Sequence, residues 1–302
     1  MAKNITTKKK FSDTPIPWLT PLVLVLAFLF VYPTFQVIKY GFTDASIIRP
    51  TYNYTLKTFK SILMNPSTYE ILRITLIFVF FSVVFQTVLG LAVALAVDKG
   101  ESIRMNNASV FVRVVALLSW AIPGVICGVV WGFMYNETGT GILYSFLTRW
   151  GFDNVHFLTD PNSALRSIIV ANVWRGSAQS MILSYAGLKT VGKAQIEASM
   201  IDGVNPFQRL RHIILPNIFS VISTNIILNT IMTFNTFDMI LSLSGGGPGR
   251  ATEVLAMTSY NAIFKSHSLA KGSAYATILL LINSFMAVIY FIILSNREKN
   301  DK

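Results

Sequence analysis

The sequence predicts an all-α integral membrane protein with six transmembrane helices, and three observations carry that expectation. Hydrophobic residues fill 53% of the 302 positions and charged residues only 13%, whereas soluble domains average about a quarter charged residues. Six apolar stretches approach or exceed the ~20 residues a helix needs to cross the hydrocarbon layer. The cations sit mostly in short segments beside these stretches. The net charge of +11 therefore reads as membrane orientation rather than as a nucleic-acid surface.

The spans are expected in the following order. A polar tail, 1–16, carries Lys8, Lys9 and Lys10 and leads into the first span, 17–41, with Trp18 and Tyr40 near the two interfaces. This apolar segment is longer than the about 7–15 residues of a signal-peptide core and has no clear small-residue cleavage site after it, so it is read as a retained anchor. In the polar segment 42–69, Leu56, Phe59 and Leu63 have the spacing of a short amphipathic helix. The second span is expected over 70–97, ending before Asp98, and the third over 108–135, with Trp120 and Pro123 inside it. The loop 136–161 has glycines and aromatic residues but no catalytic grouping. The fourth span, 163–188, holds Asn172, Trp174, Arg175 and Gln179 at membrane depth, and the fifth, 216–243, is rich in Asn and Thr. SGGGPGRATE, from Ser244 to Glu253, opens an external segment reaching about Leu269, and the sixth span covers 270–294. The organisation is then a cytoplasmic tail (1–16), a first helix with its external segment (17–69), a five-helix core (70–296) containing a cytoplasmic loop (189–216), and a cytoplasmic C-terminal tail (297–302).

Charge decides the orientation. With six spans both termini share a side. That side collects Lys3, Lys8, Lys9, Lys10, Lys99, Arg104, Lys189, Lys193, Arg209, Arg211, Arg297, Lys299 and Lys302, against Arg49, Lys57, Lys60, Arg149, Arg250 and Lys265 on the other. The excess puts the termini and the loop 189–216 in the cytoplasm.

That loop, KTVGKAQIEASMIDGVNPFQRLRHIILP, is the longest soluble interruption in the second half of the chain. Ile196, Ala198, Met200 and Ile201 can face one side of a short helix ending at Gly203. Pro206 suits the first position of a second helix, with Phe207, Leu210 and Ile214 on one face. A plain connector needs few of these apolar residues; two short helices joined by a glycine turn suit docking into a partner's groove. Glu197 is a candidate for pairing with a basic group there, and Gly203 for permitting the turn.

Polar groups within a bilayer are costly unless they face other helices or water. On the fourth span Asn172, Arg175 or Gly176, and Gln179 fall on one helical face, and on the fifth Asn225, Asn229, Met232 or Thr233, and Thr236 do the same, with Asn235 and Asp238 flanking. Amides and hydroxyls both donate and accept, which suits a hydroxyl-rich solute. The same groups also suit hydrogen bonding between helices, so spacing leaves both roles open. Trp174, Phe234, Phe237 and Trp120 are candidates to pack against apolar sugar faces. Arg175 either meets an anionic solute or pairs with Asp238.

Glu197-Ala198-Ser199, three residues, Gly203, nine residues, Ile213, then Leu215-Pro216 resembles the cytoplasmic loop of bacterial ABC importer permeases. The departure is serine at the third position, where alanine is usual. With NVWRGSAQSMILSYAGLKTV and MTFNTFDMILSLSGGGP, the chain resembles the carbohydrate, maltose-type branch of that family over about 16–296. The resemblance implies the type I (MetI-like) permease fold and a bacterial inner-membrane location. It assigns ATPase coupling to Glu197, Ala198, Ser199, Asp202, Gly203, Ile213, Leu215 and Pro216. It carries solute contacts onto Asn172, Gly176, Gln179, Asn229, Met232, Thr233 and Thr236, of which Asn172 and Gly176 retain the maltose-type residues. The implied partners are a second, related permease forming a heterodimer, two cytoplasmic ATPase subunits, an extracytoplasmic solute-binding protein, a sugar solute and membrane lipid. ATP and Mg would be used by the ATPase, since no Walker A pattern occurs in this chain.

Other classes fare less well. The single cysteine, Cys127, and the separated His156, His212 and His267 offer no metal site. No His/Asp/Glu cluster or Ser-His pair suggests an enzyme. An ion-coupled secondary transporter would need an intramembrane ionisable group, for which only Arg175 and Asp238 are available. An importer of an anionic sugar derivative or glycerol phosphate stays open through Arg175.

Overall fold

A computed structural model describes residues 16–49, 51–103, 105–152 and 154–300. The expected tail 1–16 lies almost wholly outside the described residues, as do Arg104 and the last two positions. Among the described residues fifteen α-helices follow one another: α1 (Ile16–Leu26), α2 (Tyr32–Gly41), α3 (Lys57–Leu63), α4 (Pro66–Ser102), α5 (Asn106–Ala121), α6 (Gly124–Met134), α7 (Ile142–Arg149), α8 (Pro161–Thr190), α9 (Lys193–Ile201), α10 (Pro206–Arg209), α11 (Leu215–Asn217), α12 (Phe219–Phe234), α13 (Asp238–Leu243), α14 (Leu255–Phe264) and α15 (Leu269–Asn300). Among the described residues the only strand-like pairing is a bridge between Thr43 and Tyr54. The amphipathic helix expected around Leu56, Phe59 and Leu63 is α3.

Among the described residues three segments are long and apolar enough to cross a membrane: Trp18–Gly41, Pro66–Ser102 and Leu269–Ser295. Two bent pairs, α5 with α6 and the α10–α11 stretch with α12, are apolar enough to count as one broken span each. The 30-residue α8 has the length of a span, but its Asn, Arg, Gln and Ser residues make it more polar than the others.

Two expected spans are not straight rods. The stretch 108–135 breaks between α5 and α6, whose axes differ by 105°. Pro123 lacks an N–H, and it forces Ile122 into extended backbone (φ −71°, ψ 126°). The expected fifth span, 216–243, bends by 76° between α11 and α12, then stops at Phe234 and resumes as α13 after a turn at 235–237. The segment after Glu253, expected as an external connector, contains α14, whose Leu255, Ala256, Met257, Thr258, Ser259 and Ala262 are buried. Its 10 residues are too few to register as a span by the ~20-residue criterion.

The centre of the molecule is the crossing of α4 and α8, which lie together along much of their length. Gly90 of α4 sits so close to α8 that a Cβ there would overlap Ser180 and stand 2.7 Å from the Met181 nitrogen. Small residues at such a crossing let the backbones approach. Around it Phe78, Ile168, Met239, Ile240, Leu255 and Met257 are almost wholly buried. Tyr135 ties α6 to α8 by donating to the Ser167 carbonyl at 3.0 Å. By contrast α1 is exposed all round, and α2 touches the body at Gly41, packed against Ala274 of α15.

Candidate functional site: a polar cavity and the loop beneath it

The face of α8 carrying Asn172, Arg175, Gly176 and Gln179 meets the face of α12 carrying Asn229, Met232 and Thr233, with Thr236 just beyond. All eight line one cavity of about 360 Å³, together with Gln86, Trp120, Ile231, Asn235 and Asp238. That volume is near the low end of the roughly 300–1,000 Å³ typical of small-molecule sites. A larger cavity of about 690 Å³ between α4, α12 and α15 is lined by Leu76, Phe80, Phe285 and other apolar side chains, with Thr230 and Tyr290 its hydroxyls. It offers little to a polar solute.

Hydrogen bonds hold the polar wall in place. Asn229 donates to the Ser180 hydroxyl at 2.7 Å and to the Asn225 side-chain oxygen at 3.2 Å. Gln86 donates to the Asn172 carbonyl at 3.0 Å. A Cβ at Gly176 would run into the Gln86 amide, which lies 2.5 Å from it at Cδ, so the glycine makes room for a third helix in the site. Asn172 is 4% exposed, yet its amide nitrogen has no protein partner, and neither has the Arg175 Nε. Buried donors without partners are rare because each forfeits its solvation; both lie in this cavity wall.

Arg175 and Asp238 line the same cavity without forming an ion pair; neither belongs to any salt bridge among the described residues. The Asp238 carboxylate lies toward α6 instead. It sits over Gly124, with Oδ1 2.6 Å from where a Cβ there would stand, at the start of α6, where the helix dipole favours an anion.

Of the four aromatic candidates, Trp120 lines the cavity. Trp174 packs edge-on against Trp131 at 5.9 Å, Phe237 stacks on Tyr260 at 5.2 Å, and Phe234 is buried in the core. Asn225 is fully buried behind Asn229. Gln86 was the omission from the sequence reading. It is the one carboxamide in the apolar run 70–97, and that isolation was its signal.

The helices that wall the cavity, α8 and α12, are joined by the segment containing α9, α10 and α11. Glu197, Ala198, Asp202 and Gly203 are exposed, as is Pro216, while Ile213 and Leu215 are half-buried and Ser199 is buried. Ser199 donates its hydroxyl to the Ile196 carbonyl at 2.6 Å, so its extra oxygen is satisfied within the helix. Gly203 has φ +72° with open space around it, a left-handed residue ending α9. Asn205 and Gln208 form a reciprocal capping box that starts α10 behind Pro206. The apolar residues divide: Ile196, Leu210 and Ile214 turn inward, whereas Met200, Ile201 and Phe207 are 55%, 87% and 69% exposed.

A family model described as "Binding-protein-dependent transport system inner membrane component" matches residues 86–298. The chain belongs to this family. Its members are transport permeases rather than enzymes, and the family description makes the protein an inner-membrane component of a binding-protein-dependent importer. The trehalose/maltose transport system permease protein MalF of Thermococcus litoralis is 30% identical over 96% of this chain and 97% of its own length. The sn-glycerol-3-phosphate transport system permease protein UgpA of Brucella suis is 28% identical over 91% and 93%. The fold resembles a chain of a bacterial alginate ABC transporter solved with an alginate pentasaccharide-bound periplasmic protein. There the TM-score is 0.78, with 18% identity over 94% of this chain and 96% of that one. The all-helical, MetI-like permease fold expected from the sequence is thus the fold observed.

Proposed function

We propose that this chain is one permease half of an ATP-driven sugar importer, crossing the membrane six times with both termini cytoplasmic. The observation that carries the reading is the connectivity. The two helices that wall the polar cavity, α8 and α12, are those joined by a loop exposing Met200, Ile201 and Phe207. Asn172, Gln179, Asn229, Thr233 and Thr236 supply paired donors and acceptors for sugar hydroxyls, with Gly176 leaving room and Met232 an apolar wall. Arg175 adds a fixed positive charge. A second, related permease completes the path. Glu197, Asp202 and the exposed apolar residues of α9 dock on one of two cytoplasmic ATPase subunits, which use ATP and Mg, and an external binding protein delivers the solute. The ATP-bound ATPase must favour one permease arrangement over the other, since a partner binding both equally shifts nothing.

The test is uptake into vesicles holding the assembled importer. Uptake that requires internal ATP and external binding protein supports the reading. Uptake driven by an ion gradient without ATP supports a secondary transporter instead.

One observation favours an anionic solute: Arg175 has no carboxylate partner among the described residues, and the nearby Asp238 carboxylate lies against Gly124 of α6. An uncompensated guanidinium at membrane depth is costly, and a phosphate, sulfonate or uronate would offset that cost. Arg175→Gln separates the cases. Selective loss of charged solutes favours the anionic reading, and an equal effect on charged and neutral sugars contradicts it.

A further inference from the structure

Four residues ahead of α9, five side chains from three helices close on one another. Glu101, in the last turn of α4, faces the Tyr185 hydroxyl of α8 at 2.8 and 2.6 Å from its two oxygens. The same carboxylate pairs with Arg113 of α5 at 3.0 Å and with Lys189 of α8 at 2.9 Å. Lys189 also reaches Asp98 at 2.6 Å, and Arg113 donates to the Tyr185 hydroxyl at 3.2 Å. Both cations stand over the Tyr185 ring, at 5.0 and 4.9 Å. Two acids and two bases balance in charge.

The placement needs an explanation beyond local stability. Asp98 and Glu101 lie at the C-terminal end of α4, where the helix dipole disfavours anions. A single exposed pair is worth little. Here, however, Arg113, Tyr185 and Lys189 all meet the largely buried Glu101 carboxylate, and the two cations also cover the Tyr185 ring, which fixes three helix ends in a single geometry. Beneath them is a small separate core: Ala94, Met181, Leu188, Val191 and Ile218, against which Ile196 of α9 packs. A displacement of α9 therefore moves the end of α8, and Lys189 and Tyr185 with it.

We propose that the Asp98–Glu101–Arg113–Tyr185–Lys189 network is the link that carries movement of α9 to α4 and α5, the helices that bring Gln86 and Trp120 to the cavity. Glu101 and Tyr185 do not line the cavity; they are positioning residues for coupling. This rests on α9 being the docking helix.

Tyr185→Phe removes the hydroxyl but keeps the ring, and Lys189→Met removes the charge but keeps most of the stem. In importer reconstituted with its ATPase, partner permease and binding protein, both variants are expected to retain the ATPase. The ATP hydrolysed per solute imported should rise by roughly three- to tenfold, the effect of losing a modest coupling energy. A native ratio in both variants, while Gly203→Val raises it, overturns the link and leaves docking standing. A native ratio in Gly203→Val as well removes the docking reading and the link with it. Loss of the ATPase from both network variants assigns the network to assembly, which also overturns the proposal.

Discussion

At the scale of single residues, two glycines make opposite predictions because their surroundings differ. Gly90 has α8 pressed against it, so Gly90→Ala must push the helices apart. Overpacking of this kind costs about 1–3 kcal/mol, and a lower midpoint of thermal unfolding in detergent would show it. Gly203 has open space but a left-handed backbone. Asn tolerates that conformation and β-branched residues do not. Gly203→Asn should keep most of the coupled uptake and Gly203→Val should lose it, both at native expression; equal behaviour would mean that the turn is not what the glycine provides. That Asn172, Gln179, Asn229, Thr233 and Thr236 share a face could be read from spacing, because polar groups at period 3.6 stand out against an apolar helix; Gly176 and Met232 entered through the family resemblance. Gln86 could not be read from spacing, since one amide has no period. Nor could the separation of Arg175 from Asp238, which depends on where the third span breaks.

Individual elements were legible where composition was uniform and less so where the chain bends. The ends of α4, α8 and α15 fall within a few residues of the expected spans, α9 stops just before Gly203, and α10 starts on Asn205 and Pro206. The breaks before α6 and α12 and the burial of α14 depend on tertiary packing, which no local pattern records. The loop joining α6 to α8 shows the same dependence. Glu137 accepts the backbone N–H groups of Phe157, Leu158 and Thr159 at 2.7, 2.8 and 3.3 Å and the Thr159 hydroxyl at 2.6 Å. Burial alone would raise its pKa, but the bonds from Thr159, Leu158, Phe157 and His156 outweigh it and hold the carboxyl at about 2 against an ordinary 4.5. Because the folded value is the lower one, Glu137 stabilises the fold fully above 4.5, and that contribution is lost as pH falls from there through about 2. The stability difference between native protein and Glu137→Gln, measured by chemical denaturation, should therefore shrink over that interval and stay constant above it.

For the whole molecule, the account joins two surfaces carried by the same helices: a polar cavity between α8 and α12, and the exposed loop that connects them. Residues of α4, α5, α8, α12 and α13 line the cavity, while the described side chains of α1 are exposed. The small core around Ala94 and Ile218, with Ile196 packed on it, fixes α9 to the cavity-lining helices, so that a force applied to the loop reaches the cavity walls. The central claim is that the loop meets the ATPase, and Ile201, 87% exposed, is its most direct reporter. With a photoreactive amino acid replacing Ile201 in the assembled importer, illumination should join this chain to the ATPase subunit, and the yield should change between the ATP-free and ATP-bound states. Crosslinks to the external binding protein, or none to the ATPase in either state, would contradict the account.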